Sequence, residues 1–377
     1  MAIQYIEIRS ASDRELIGII DDAKSIIWHD VYYGVGDFEV YAPCTPESVS
    51  LLIVGNYVTR YGDDNIGIIE KVNITYSAQD GRMIIASGRF AKSLLDRRII
   101  YTLSGHSVSP TILRGNVEDA ARKLVAQNAI NCAFDSERNI AELALGDSAG
   151  LSRIIVDSLG TAAEKQVTHD NLLIYSDSLL EEYEYGAKCV LNDALKLAYT
   201  VYSGVDRSLD NSDENQPVIF SQDFDNMLSS EYLYDETVLK NTVLVGGEGE
   251  GKERFHSVVK NSTLIGAARR EVFVDASSNS RTYKDENGDE QTLTDAEYNA
   301  QLETVGLQAI SGLAITETFD GEVDLMSGSF RYRDDFSLGD IVTIQDLEIG
   351  LYINARILEV TEVEDDSGYM ISIVYGK

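Results

Sequence analysis

The first hundred residues are written in a period of two. Segments 4–9, 16–20, 26–33 and 38–41 are short runs rich in β-branched and aromatic residues, separated by Gly or Asp. Segments 57–61, 66–76 and 82–88 continue the series. Side chains of a strand alternate between faces, so such runs can bury one face of a sheet and suit no helix. At 78–81, Ala-Gln-Asp-Gly supplies a hairpin turn, because Asp-Gly readily takes positive φ. An antiparallel sheet or barrel is therefore predicted over 1–112.

The period then changes. Residues 116–129 (NVEDAARKLVAQNA) carry apolar residues at helical spacing behind Asn116 as N-cap. Asp170 is the expected cap of a second helix over 171–185, with Leu172, Leu173, Leu179 and Leu180 in one stripe. An α/β insert over 113–186 follows from these. Strands return at 188–191 and 195–202, turning at Asn192-Asp193, and at 218–220, 230–234, 242–245 and 255–259. Residues 277–291 read as a polar surface loop or hairpin tip around Asn287-Gly288. Thr294 with Glu297 forms a capping box for a helix over 295–311. Segments 313–319, 339–345, 349–363 and 369–375 close the chain as strands. The predicted class is α+β, mainly β. A second sheet region takes 187–265 plus 312–377, and 266–311 is a helical and loop insert.

Charge narrows the partners. Lys and Arg number 31 against 63 Asp and Glu, a formal net charge of −32. Such a surface repels phosphate backbones, which argues against DNA, RNA and anionic membrane as docking partners, though DNA can pass without adsorbing. Cys44, Cys132 and Cys189 are odd in number and far apart, so neither a disulfide framework nor a thiolate zinc site is expected. A reducing compartment during synthesis fits that usage. The first eighteen residues hold charges throughout and no apolar core of a signal peptide. No apolar run is long enough to cross a bilayer.

Two motifs suggest catalysis. Residues 246–252 (GGEGEGK) match a phosphate-binding loop behind a strand. Glu248 and Glu250 would repel phosphate, Glu253 stands where Ser or Thr should hold magnesium, and 254–260 alternate like a strand rather than opening a helix. A glycine-rich turn is expected instead. Residues 146–150 (GDSAG) match a nucleophile elbow around Ser148. His169 follows too closely for the usual order, and His256 sits in an alternating segment. The competing expectation is a loop in which Asp147 or Ser148 caps a helix over 151–159. A serine hydrolase using Ser148 and an acidic protein-binding module stand as the alternatives to a structural role.

The remaining polar clusters read as surface. Glu181, Glu182 and Glu184 fall on a solvated helix face, and Glu362, Glu364, Asp365 and Asp366 read as turn charges of the last hairpin. Residues 285–290 resemble half a calcium loop, but that register puts Tyr283 and Thr294 at ligand positions. The four histidines are isolated, so no metal site is expected. Trp28 is assigned to the core, and the 21 tyrosines suggest protein-contact surfaces.

Segments 28–43 (WHDVYYGVGDFEVYAP), 87–100 (SGRFAKSLLDRRII), 201–208 (VYSGVDRS), 241–254 (NTVLVGGEGEGKER), 269–275 (RREVFVD) and 338–342 (LGDIV), with Tyr375-Gly376, together resemble the tail proteins of siphoviruses and prophages, of the ReqiPepy type. The resemblance spans nearly the whole chain. It implies a baseplate-hub-like fold with two tube-type β-barrel domains in a homotrimeric ring and the inserts outside. It also implies a place at the virion tail tip after assembly in the bacterial cytoplasm. Its partners would be a distal tail protein, a tape measure, and a receptor-binding protein or fibre, with DNA passing through the ring. Under it, 246–251 is a tight β connection, Arg97 and Arg98 are interface or ion-pair residues, and no catalytic, cofactor-binding or metal residue is carried over.

Overall fold

The computed structural model describes residues 5–156, 161–284, 290–323 and 330–376. Contacts divide the chain into a larger unit, Met1–Ile155 with Ala162–Glu231 and Thr318–Lys377, and a smaller one, Val156–Thr161 with Tyr232–Glu317. Strand outweighs helix, 43% to 19%, so the mainly β class holds.

The larger unit is organised by one sheet. From one edge its order is Met227–Asp235, Thr316–Val323, Gly368–Gly376, Leu351–Asp365, Ser25–Val31, Asp37–Pro43, Gly81–Arg89 and Lys71–Ser77; Ile341–Asp346 pairs with Leu351–Asp365, and Ile219–Ser221 with Ile341–Asp346. The long strand Leu351–Asp365 serves two neighbours in succession. Its first half faces Ile341–Asp346, with Ile344 opposite Ile353. Its second half faces Ser25–Val31, with Val360, Glu362 and Glu364 opposite Asp30, Trp28 and Ile26. All six side chains are buried, so the alternation of the two strands matches.

That pairing corrects the expectation of two barrels. Among the described residues no barrel closes, because the first sheet region hydrogen-bonds through Ser25–Val31 to the last hairpin and both regions merge into one open sheet.

A second sheet, in the order Leu16–Ile20, Ile6–Arg9, Tyr57–Arg60 and Gly67–Ile68, packs against the first. Between them lie Ile6, Ile8, Ile20, Trp28, Phe38, Val40, Val58 and Ile84, all nearly inaccessible. Each such side chain contributes about 1.5–3 kcal/mol by leaving water. Gly88 permits the close approach: a Cβ there would stand 1.8 Å from the Ile68 carbonyl oxygen. Helix Pro46–Leu51 covers this sheet, started by a capping box between Thr45 and Ser48.

Helices Val117–Val125 and Leu172–Glu182 bury facing stripes, among them Ala121, Leu124, Leu172 and Leu179. Asn116 caps the first as read, its Oδ1 accepting from the Asp119 N–H at 3.0 Å. The second is capped by Asn171, not Asp170. Asn171 Oδ1 accepts from the N–H groups of Leu173 and Ile174, while its Nδ2 donates to Asp96 at 3.0 Å. Such a cap is worth about 1 kcal/mol. The helix expected from residue 151 does not form over 151–156. There Ile154 bridges to Asn116, and Val117 N–H bonds the Arg153 carbonyl at 3.0 Å, drawing the segment out; residues 157–160 lie outside the described residues. All three cysteines are free, and burial pushes the Cys189 thiol up to about 12.

The smaller unit has its own core. Thr242–Gly246 runs antiparallel to His256–Lys260 and parallel to Glu271–Asp275. Helix Asp295–Ser311, started by the predicted Thr294–Glu297 capping box, lays Tyr298, Leu302 and Ile310 on Val243, Val245 and Val259. Tyr298 Oη donates to the Asn279 carbonyl at 2.6 Å and accepts from Glu248 N–H at 2.7 Å. The polar segment 277–291 carries the hairpin Thr282–Lys284 with Glu290–Thr292; its tip, with most of the calcium-like residues, lies outside the described residues. Among the described residues no helix is long and apolar enough to cross a membrane.

Candidate functional site

Ser148 sits exposed on the irregular stretch after strand Leu143–Leu145, not on a strand-to-helix elbow. Its loop is fixed by Glu118, whose carboxylate accepts from the Ala149 and Leu151 N–H groups at 2.7 and 3.0 Å. Burial pushes the Glu118 acid up, but the Leu151 N–H, the Ser148 hydroxyl and the Ala149 N–H outweigh it and hold the carboxyl below its usual range. Ser148 Oγ accepts from Gly150 N–H at 3.2 Å. His169 instead uses its backbone N–H on the Ile100 carbonyl, and His256 Nδ1 lies 3.0 Å from the Arg254 carbonyl. Among the described residues, Ser148 thus has a carboxylate neighbour and no hydrogen bond to an imidazole.

The segment 246–252 is a tight β connection, as expected. Gly247 N–H bonds Phe255 O at 2.8 Å, and Phe255 N–H returns to Glu248 O at 3.0 Å. The Arg254 guanidinium donates to the Gly246 and Gly247 carbonyls at 2.9 and 3.0 Å. Carbonyls gathered on a cation are the reverse of a phosphate cradle, which needs converging N–H groups. Arg97 reaches Glu70 at 3.9 Å, and Arg98 donates to the Arg138 carbonyl at 2.7 Å, so both make internal contacts.

The densest electrostatics lie on the last hairpin, among residues expected to be turn charges. That expectation is corrected for Glu362 and Glu364, which are 3% and 7% exposed and point inward from the second half of strand Leu351–Asp365. Residues 360, 362 and 364 share one face, and that face is the core side. Glu362 meets two arginines. Arg60, with its side chain 6% exposed, pairs with Glu362 and with Asp63 at 3.1 Å. Arg333 pairs with Asp63 at 2.5 Å and Glu362 at 2.6 Å, and lies 3.7 Å from Asp30. Asn65 Nδ2 donates to Asp30 at 2.6 Å, and the Tyr369 hydroxyl donates to Glu362. Arg333 holds this position with a left-handed φ of 71°. The Arg60 guanidinium also lies 5.1 Å from the centre of the Trp28 ring.

Two guanidiniums face three carboxylates, so one negative charge is in excess. It is relieved at Asp30, where burial, with Asp63 and Glu362 adding repulsion, raises the acid to about 7. At Glu362 burial acts upward, but Arg60 and Arg333 outweigh it and the acid falls below its usual range. Oxygens of Asp30, Asp63 and Glu362 lie within 4.8 Å of one another, close enough for a cation. A metal would compete with both arginines for the same oxygens. The cluster is a clasp joining both sheets to the segment around Arg333.

On the opposite face of the same strand, His29 bridges two neighbours. Its Nδ1 lies 3.3 Å from Asp37 and its Nε2 3.0 Å from Glu359. Burial pushes the imidazole down, but the Glu359 and Asp37 carboxylates outweigh it and the net shift is upward. A raised folded value means the folded chain binds the proton more tightly, so the added stability is full below about pH 6.5 and fades as pH rises through the folded value. His29→Gln should therefore lower the urea midpoint at pH 5.5 more than at pH 8.5 relative to the parent chain; equal losses at both would mean that the bridge carries no charge. This open face also bears Asp37 and Glu39 and, on the last strands, a trough of about 470 Å³ lined by Glu231, Asp320, Glu322 and Met370. Burial, then Glu231 and Glu359, push the Asp320 acid up.

The family model described as Siphovirus ReqiPepy6 Gp37-like protein matches residues 5–377. The fold is similar to that of the tail protein from Neisseria meningitidis MC58, at 14% identity and a TM-score of 0.57, over 100% of this chain and 97% of that one. It is also similar to the 43 kDa tail protein of prophage MuSo2 from Shewanella oneidensis, at 12% identity and a TM-score of 0.55, over 99% and 98% of the two chains. No curated protein matches the chain.

Proposed function

The chain belongs to the Siphovirus ReqiPepy6 Gp37-like protein family, and from that membership we propose that it is a structural component of a phage or prophage tail tip, a baseplate hub that closes or extends the tail tube and anchors host-recognition proteins. The observation that carries this reading is a family match from residue 5 to 377, combined with a fold shared end to end with two tail proteins. In this reading the protein acts as a homotrimer through head-to-tail contacts, since a ring closes only that way. Residues 1–112 and 187–265 with 312–377 supply the two tube-type units, and 113–186 and 266–311 the inserts. The distal tail protein, the tape measure and a receptor-binding protein or fibre are its neighbours in the virion.

The net charge of −32 takes a role in the same reading. The open face with Asp37, Glu39 and Glu322 lines the passage, and its carboxylates keep DNA from adsorbing as it slides. Asp37→Lys, Glu39→Lys and Glu322→Lys together should slow DNA ejection several-fold at low salt; an unchanged rate would remove these residues from the passage. The role itself is tested by immunogold electron microscopy of particles released on induction of the source strain. Gold at the distal end of tails supports it, and intact tails free of gold overturn it.

A further inference from the structure

Strand Leu16–Ile20 ends its sheet, and among the described residues nothing pairs with its outer edge. Natural edge strands are usually protected by charges or proline within the strand, by bulging, or by cover, because a free edge templates pairing with another chain. Here the strand reads Leu-Ile-Gly-Ile-Ile, with neither charge nor proline, and its one irregularity is a register shift at Ile17, where Gly18 faces Ile8 and Leu16 faces Arg9. Leu16, Ile17 and Ile19 are 47%, 46% and 43% exposed, while Ile20 anchors the strand in the core. The adjoining helix adds exposed Val49, and the turn after it exposed Ile53; the helix touches the strand where Leu51 fills the space above Gly18.

Charge selects the occupant. Asp13 and Glu15 precede the strand, Asp21 and Asp22 follow it, and all four are exposed. The cation between them, Arg14, is turned inward, donating to the Leu195 carbonyl at 2.5 Å. Antiparallel pairing with a second copy centred near Gly18 would bring Glu15 of each copy toward Asp21 of the other. Like charges placed opposite one another destabilise a strand pair. The same acids favour a partner with cations at those places.

We propose that Leu16–Ile20 is a docking edge for an extended segment of another protein, apolar in its middle and flanked by Lys or Arg on both sides. The edge would supply main-chain hydrogen bonds, and Ile17 and Ile19 would pack against alternate side chains of the guest. Glu15 and Asp21 stand about 20 Å apart along an extended chain, so the guest's cations sit about six residues apart. This edge would receive any partner of that chemistry, whether or not the chain stands at a tail tip.

The probe is a fluorescein-labelled peptide, Lys-Lys-Val-Thr-Val-Thr-Val-Lys-Lys, titrated with the full chain and followed by anisotropy. It is expected to bind, more weakly as salt rises. Ile17→Ser with Ile19→Ser, Asp21→Lys with Asp22→Lys, or N-methylation of the peptide amides that face the edge should each weaken binding at least about tenfold. The substituted side chains are exposed, so circular dichroism should be unchanged. The peptide with Glu in place of Lys should not bind. Absence of binding overturns the assignment, as does binding that survives Ile17→Ser with Ile19→Ser, which would be adsorption to the acidic surface at large. Sedimentation that shows this edge joining two copies, broken by the same pair, also overturns it.

Discussion

Arg60→Met should destabilise the larger unit by about 3–5 kcal/mol, the usual cost of leaving a buried carboxylate without its partner. Arg60 touches Glu362 and Asp63, all three nearly inaccessible, and only Arg333 would remain to balance them. Its side chain is 30% exposed, so water can reach the clasp from that side and Arg333→Met should cost less. Removing both members of the main pair, Arg60→Met with Glu362→Gln, should recover part of the loss, since the penalty belongs to the orphaned charge. Urea unfolding of the three variants measures this. A loss below about 0.5 kcal/mol for Arg60→Met would mean that the clasp is open to solvent.

Asp30 gives the same cluster a pH signature. Its acid lies at about 7 in the folded chain, above the ordinary 3.8. The folded chain therefore keeps a proton that the unfolded chain releases, and the stability tied to that proton is full below about pH 4 and lost as pH rises toward 7. Asp30→Asn can still accept from Asn65 and carries no charge to bury. Relative to the parent chain it should gain stability steadily between pH 4 and 7, then hold a constant lead. A flat difference across that range would place the excess proton elsewhere in the cluster.

Trp28→Ala is the second large effect, at about 3–5 kcal/mol. The indole is fully buried, with Phe90 and Phe38 at ring-centre distances of 4.8 and 5.7 Å and Arg60 above it. Its removal leaves a cavity between the sheets and strips the cover from Arg60. Trp28→Phe should cost much less, because indole Nε1 has no hydrogen-bond partner among the described residues and the smaller ring removes that unmet donor. Since Trp28 is the chain's single tryptophan, unfolding of both variants is followed by far-ultraviolet circular dichroism. Equal losses for Ala and Phe would show that the indole packs no better than a phenyl ring.

What was legible in the sequence was local. The two-residue period marked the strands, and it marked Trp28 as core. The Asn116 cap and the Thr294–Glu297 box depend on residues three apart and were readable for that reason. Between Asp170 and Asn171 the choice of cap turned on Asp96, which binds Asn171 from a distant segment. The period also states which face of a strand is buried but not which strand lies beside it, so the union of Ser25–Val31 with Leu351–Asp365 was out of reach, and with it the merging of the expected barrels. Glu362 and Glu364 were misread because acidity was weighed over alternation. Their spacing from Val360 was the available signal. Arg60 and Arg333 gave none, since a buried arginine announces itself only through partners that the fold brings near.

The same union sets an order on biosynthesis. Ser25–Val31, Asp37–Pro43, Gly81–Arg89 and Lys71–Ser77 can pair as soon as they leave the ribosome, but the outer flank of Ser25–Val31 waits for a strand whose Glu359 follows His29 by 330 residues. At ~5–20 residues per second that wait is roughly 15–65 s. Throughout it the nascent chain shows one open edge on the ribbon Ser-Ile-Ile-Trp-His-Asp-Val, whose composition favours cross-β stacking. On crowded polysomes, and in stalled, shortened products, that edge can template pairing between chains, and a chaperone that shields it until synthesis is complete should raise the yield.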